Sequence, residues 1–151
     1  MNEQETVQKL TAKFPFLTET TRVARIRRIF CGVPKESFRE VLDFVVQELG
    51  FSILCTITGV DDGDTIGAIY HLAVQSGGMF NLKVNVPKDN PVFKSVTDIF
   101  PSAEMYEREI IDLLGAKVEG LKAGRRYPLH ETWPAGEYPL RKDWTYTKGK
   151  V

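Results

Sequence analysis

The sequence is poor in the residues that hold redox centres. Two cysteines and two histidines in 151 residues leave no set of four thiolates for an iron–sulfur cluster. Cys31, Cys55, His71 and His130 are far apart in the chain, with none of the short Cys-x-x-Cys or His-x-x-x-His spacings of a zinc site. Net charge is also missing: 20 Lys+Arg balance 20 Asp+Glu. A generic nucleic-acid binder needs a basic surface to displace counterions from phosphates, so that class is disfavoured. No apolar run approaches the roughly 20 residues that span a bilayer. The N-terminus, MNEQETVQKL, has no apolar signal core. These absences lead us to expect a cytoplasmic protein with reduced thiols, in which Cys31 and Cys55 are small apolar strand residues.

What is present is the composition of a globular domain, 42% hydrophobic and 26% charged. Its charge is unevenly placed. Residues 1–50 carry +1, residues 51–119 carry −5 and residues 120–151 carry +4. An acidic middle is therefore set against a basic end.

The hydrophobic spacing predicts a short amphipathic helix over residues 3–14, closed by Pro15. Residues 22–32 read as one strand, and Arg22, Arg25, Arg27 and Arg28 suit an edge. Residues 34–49 read as a helix with Pro34 at its first position, a buried face from Phe38 to Leu49, and Gly50 as its stop. Three strands follow. The first, 51–60, is apolar on nearly both faces and is expected to be central. The second is 65–75 and the third, from Phe80 to Val86, alternates cleanly. Asp61-Asp62-Gly63-Asp64 is read as a hairpin turn, since the spacing and terminal glutamate of a calcium loop are missing. His71, mid-strand, has no partner nearby in sequence and is given no role. Ser102 is expected to cap a helix ending at Gly115, with Tyr106, Ile110, Leu113 and Leu114 on its buried face. The fold class is thus α+β: a mainly antiparallel sheet with helices on one face over residues 1–119, followed by an extended C-terminal tail over residues 120–151. In that tail no period survives. Six residues between 120 and 139 are Gly or Pro, and aromatic residues alternate with Arg and Lys, the kind of side chain that interfaces use as anchors.

Two motifs carry information. The first is Glu107-Arg108-Glu109 with Asp112 on the last helix, where Glu104–Arg108 and Arg108–Asp112 are i, i+4 pairs. It reads either as a solvated ion-pair face or as a carboxylate face for a cationic segment. The second is Tyr138-Pro139-Leu140-Arg141-Lys142-Asp143-Trp144. It reads either as a disordered basic end or as an extended peptide that anchors through Leu140 and Trp144 while Arg141 grips a carboxylate.

With Thr97-Asp98-Ile99-Phe100-Pro101 before them, these motifs resemble the thirty-kilodalton subunit of respiratory complex I and its counterpart in energy-converting, membrane-bound nickel–iron hydrogenases. The likeness is greatest over residues 95–144. Leu121-Lys122 stands where the respiratory proteins carry His-Pro, and the tail (Arg126-Tyr127-Pro128-Leu129, Trp133-Pro134) looks more like the hydrogenase branch. The resemblance implies a non-catalytic structural subunit of a membrane-associated oxidoreductase complex, peripheral on the cytoplasmic face. It implies no cofactor in this chain, with iron–sulfur clusters, and nickel–iron in the hydrogenase branch, held by partners. Those partners would be a large catalytic subunit and a small iron–sulfur subunit, and any membrane contact would run through them. The interface expected from the resemblance and the motifs is Glu107, Arg108, Glu109, Asp112, Arg125, Arg126, Trp133, Tyr138, Pro139, Leu140, Arg141, Lys142, Asp143 and Trp144. Arg141 and Lys142 are expected to meet carboxylates, on a partner or on Glu107, Glu109 and Asp112. The alternative is a stand-alone RNA-binding α+β module using Arg22, Arg25, Arg27 and Arg28, although the aromatic strand motif of such modules is missing. A small enzyme using Glu109 or Asp112 as base ranks last, for want of a nucleophile, metal set or phosphate loop.

Overall fold

The computed structural model describes residues 2–146. Its regular elements are α1 (Glu3–Lys13), β1 (Thr21–Arg25), β2 (Arg28–Val33), α2 (Phe38–Gln47), β3 (Ile53–Asp61), β4 (Thr65–Ala73), β5 (Met79–Pro87), β6 (Val92–Lys94), α3 (Ala103–Leu114) and β7 (Lys117–Glu119), with single 3-10 turns at Pro15–Leu17 and Lys35–Ser37. A mainly antiparallel sheet runs in the order β1-β2-β5-β4-β3, so the chain is α+β as read. The chain divides into two compact units. One comprises the described residues of Met1–Thr56 and Ile69–Asn85, the other those of Ile57–Ala68 and Val86–Val151.

In the first unit, α1 starts at a reciprocal cap. The Glu5 amide donates to Asn2 Oδ1 at 2.8 Å, and the Asn2 amide donates to Glu5 Oε2 at 3.2 Å. Residues 22–32 form two strands rather than one. β1 and β2 are an antiparallel hairpin with Arg25 opposite Arg28, and the uneven spacing of the arginines reflects the turn between them. That turn lacks the Asn or Gly that would have marked it. β2 then pairs in parallel with β5, Ile29 opposite Phe80 and Cys31 opposite Leu82, a crossover that short hairpins alone did not foretell.

α2 begins later than the sequence suggests. Pro34 is extended, at ψ 145°, and a 3-10 turn precedes the helix. The buried face of α2 is as expected: Phe38, Val41, Leu42 and Val45, each contributing about 1.5–3 kcal/mol by leaving water. Phe38 lies 4.7 Å from the Tyr70 ring. His71 is occupied structurally: its Nδ1 lies 2.7 Å from Asn81 Oδ1, while buried Asn81 donates to the Ile29 carbonyl at 2.9 Å.

β3 corrects a second expectation. It is the edge of the sheet rather than a central strand, with Ile53 and Cys55 exposed. The parallel β2–β5 pair takes the middle, and apolar composition alone did not distinguish the two positions. Cys31 is buried in β2, as read.

In the second unit, the turn between β3 and β4 is the expected hairpin. The Asp62 amide donates to the Thr65 carbonyl at 2.9 Å, and Gly63 takes φ +99°. β6 and β7 form a short parallel pair, Phe93 opposite Val118, too short to leave a periodic trace. α3 lies close on β3 at Gly59, where a Cβ would stand 2.5 Å from Leu114 Cδ1. Ser102 precedes α3 but makes no side-chain cap. The first amides of the helix instead reach the Phe100 and Pro101 carbonyls, so the hydroxyl is not needed. Gly115 ends α3 in the left-handed conformation, φ +70°. No helix among the described residues is long and apolar enough to cross a membrane.

Candidate functional site

The site is built on α3 and the segment that follows β7, all within the second unit. α3 does not present a uniform solvated face. Glu107 is 2% exposed, inside the protein. Its Oε1 accepts the Val96 amide at 2.7 Å and its Oε2 accepts the Ser95 hydroxyl at 2.8 Å. Burial pushes its carboxyl above the ordinary value, against the pull of those two hydrogen bonds. Glu107 therefore fixes the turn before α3. Glu109 is half-buried on the same helix.

Arg108 pairs with Glu104 at 2.9 Å, as the spacing predicts. It does not bridge on to Asp112. Its Nη2 also donates to the Lys122 carbonyl at 2.8 Å, and a Cβ at Gly124 would stand 2.3 Å from that nitrogen. The tail thus lies directly against the guanidinium. Asp112, 5% exposed, is taken by the tail instead. Its Oδ1 accepts from Arg126 Nε and its Oδ2 accepts the Leu129 amide at 2.7 Å. Arg126 extends the link by donating through Nη1 to the Trp133 carbonyl.

The second motif closes over the end of α3. A Cβ on Gly115 would lie 2.4 Å from the Tyr138 ring, so glycine is required both for its positive φ and for this approach. The Leu140 amide donates to the Leu113 carbonyl at 3.1 Å. Arg141 Nε donates to the Leu114 carbonyl at 2.7 Å and Nη2 to the Lys88 carbonyl at 3.4 Å. A cation thus sits at the negative end of the helix dipole, its guanidinium 5.2 Å from the centre of the Tyr138 ring. Within this chain Arg141 therefore meets carbonyls rather than the carboxylates of Glu107, Glu109 or Asp112. Lys142 does meet a carboxylate, but through its backbone amide, 2.8 Å from Asp61 Oδ2.

Asp61 is the residue that sequence reasoning missed, since its neighbours present it only as part of a turn. It accepts the Gly63 amide at 2.8 Å and the Lys88 ammonium at 2.8 Å. Lys88 in turn reaches Asp143 at 3.2 Å. Burial pushes the Asp61 carboxyl up, but the Lys88 ammonium and the Lys142 and Gly63 amides outweigh it and hold the group at about 2. Three aspartates and a glycine in succession carry no sign that one of the carboxylates is buried.

Trp133 and Trp144 stack at 6.0 Å between ring centres and share Glu137. Trp133 Nε1 donates to its carbonyl at 2.8 Å, and Trp144 Nε1 to its carboxylate at 2.7 Å. Pro139 is half-buried between Tyr138 and Leu140. The other side chains of the expected interface are open: Arg125, Lys142 and Asp143 are exposed and Leu140 is 53% exposed, as are Tyr127 and Tyr146 nearby. Among the described residues no three His, Cys, Asp or Glu side chains gather as a metal would need.

The arrangement is a strap stitched to a helix, in a chain that has known relatives. It is 31% identical to one subunit of the F(420)H(2) dehydrogenase of Methanosarcina mazei, over 95% of this chain and 92% of that one. It is also 31% identical to the beta subunit of the membrane-bound hydrogenase of Pyrococcus furiosus, over 95% and 87%. A solved structure of the membrane-bound sulfane sulfur reductase, an archaeal respiratory membrane complex, contains a chain that superposes with a TM-score of 0.79 at 31% identity, over 94% of this chain and 85% of that one. The model of the respiratory-chain NADH dehydrogenase 30 Kd subunit matches residues 31–150, and the chain belongs to that family.

Proposed function

We propose that this chain is a non-catalytic structural subunit of a membrane-associated oxidoreductase complex of the energy-converting hydrogenase and complex I type. In this reading it docks and positions the large catalytic subunit, beside the small iron–sulfur subunit, on the cytoplasmic face. The membrane is met only through partners, and the redox centres belong to other chains. The complexes in which its relatives are named support membership of such an assembly.

The observation that carries the docking role is the division of labour along the tail. Polar backbone and arginine contacts hold the strap to α3. Tyr127, Leu140 and Tyr146 meanwhile keep 41–64% of their surface exposed. A segment stitched down by one set of groups and offering apolar side chains through another is a pre-organised interface, with its ordering cost met before the partner arrives.

The test is co-purification of the untagged chain with a tagged large subunit. Leu140→Asp and Tyr127→Ala leave the stitching groups intact, so the chain is expected to stay folded while retention on the large subunit falls at least tenfold. Full retention of both variants refutes a docking role for the tail. Failure of the unmodified chain to co-purify refutes the subunit reading itself.

A further inference from the structure

The β1–β2 hairpin is unexplained by the strap. Its two-residue turn, Ile26-Arg27, joins Arg25 to Arg28. Turns of this kind favour Asn-Gly, because glycine takes the left-handed conformation freely. Here Arg27 takes it, at φ +60°, and the turn is held from both sides: the Arg27 amide donates to Glu3 Oε1, and its carbonyl accepts the Met79 amide at 2.8 Å. Ile26, at the apex, is 86% exposed, and Val23 is 43% exposed. Neither side chain serves the core.

The charges are equally unspent. Arg22 stacks over Phe30 at 5.6 Å, and Arg28 Nη2 meets the Met79 sulfur at 3.6 Å. Among the described residues no carboxylate pairs with Arg22, Arg25 or Arg28. Folding requires neither an isoleucine at the apex nor three guanidiniums without counter-charges. A β1 edge carrying these arginines and a register shift between Val23 and Arg25 also resists direct strand addition.

We infer that this hairpin is a second docking element, which inserts Ile26 into an apolar socket on a neighbouring protein subunit while Arg22, Arg25 and Arg28 grip carboxylates around the socket rim. The charge complementarity selects an acidic protein surface. All three cations are arginine, whose planar fork matches carboxylates two hydrogen bonds at a time, and arginine is among the residues enriched at interface hot spots. A lipid surface is less well matched, since the apex has no Trp or Tyr to sit at the headgroup level. Single-stranded RNA is less well matched too, since the hairpin's own aromatic residue, Phe30, is already covered by Arg22. The inference rests on the subunit reading above and is tested inside the same assembled complex.

Three versions of the full chain are compared: unmodified, Arg22→Glu with Arg25→Glu, and Ile26→Ser. Each is captured through a tag on the large subunit at low and high salt, with thermal melting of the free chain as the folding control. A fourth version, Ile26→Cys in a Cys55→Ser background, carries a thiol-linked photo-cross-linker. With melting unchanged, the arginine double variant is expected to lose at least tenfold in retention at low salt, Ile26→Ser several-fold, and the cross-link to map to a segment rich in Asp and Glu on a neighbouring subunit. The inference is overturned if both variants are retained as well as the unmodified chain. It is overturned equally if the cross-link falls on lipid, RNA or a second copy of this chain, or if the arginines confer binding to phosphatidylserine vesicles or polyuridine instead. Loss of the unmodified chain from the complex defeats the subunit reading as well, which separates the two failures.

Discussion

Three residues of the second unit respond to change in different ways. Gly115 is confined by its φ of +70° and by the Tyr138 ring, so Gly115→Ala combines a strained backbone with a steric overlap. Its expected cost is about 2–3 kcal/mol, read by chemical denaturation. Asp61 is held at about 2, below a carboxyl in an unfolded chain. Its contribution to stability is therefore complete above about pH 4 and is lost as pH falls through about 2. Melting curves of the unmodified chain and Asp61→Asn should differ near neutrality and converge at the acid end of that window. Glu107 has the opposite sign. Burial raises its carboxyl, so the folded protein takes up that proton before the unfolded chain does, and this one group favours folding more as pH falls through its raised value toward that of an exposed carboxyl. Glu107→Gln keeps an acceptor for the Val96 amide and a donor for Ser95, and should melt within about 1 kcal/mol of the unmodified chain. Glu107→Ala strands a buried amide, which costs about 1–3 kcal/mol.

At the scale of elements, the strap and α3 depend on each other. Removing Arg126 leaves the Asp112 side chain, 5% exposed, with the Leu129 amide as its one remaining hydrogen-bond donor among the described residues. Arg126 itself is partly open, so the expected loss for Arg126→Ala is about 2–3 kcal/mol, between the values for exposed and fully buried pairs. Hydrogen exchange should show it first in the Leu129 and Trp133 amides, while α2 stays protected. The sequence made α2 and its buried face plain, because a 3.6-residue period outlasts small errors at the ends. It also exposed the two motifs, and the charge split between the acidic middle of the chain and its basic end. What it concealed was the pairing. Spacing offered Asp112 to Arg108, four residues away, and the fold gave it to Arg126. The β1–β2 turn was hidden for a related reason, since Ile26-Arg27 uses none of the residues that mark a turn. The crossover that makes β5 a neighbour of β2 has no local signature at all.

At the scale of the whole chain, the motifs that point to the family are spread over residues 95–144, and the match extends over residues 31–150. Deleting residues 138–151 is expected to do more than release a partner. The deletion uncovers Gly115, removes Arg141 from the carbonyls of α3 and strips Asp61 of one donor. The shortened chain should melt at a lower temperature even in isolation, and calorimetry of the two forms reads the difference directly. Loss of assembly by such a deletion therefore reports on folding and docking together, whereas Leu140→Asp reports on docking alone.

The bond between Asp61 and the Lys142 amide spans 81 positions. The β3–β4 hairpin closes over a few residues, whereas the Lys142 contact must close that whole span, so local pairing comes first. In refolding, the Lys142 contact is therefore expected to form after the β3–β4 hairpin, with late protection of the Lys142 amide in pulse-labelled hydrogen exchange as the measurement.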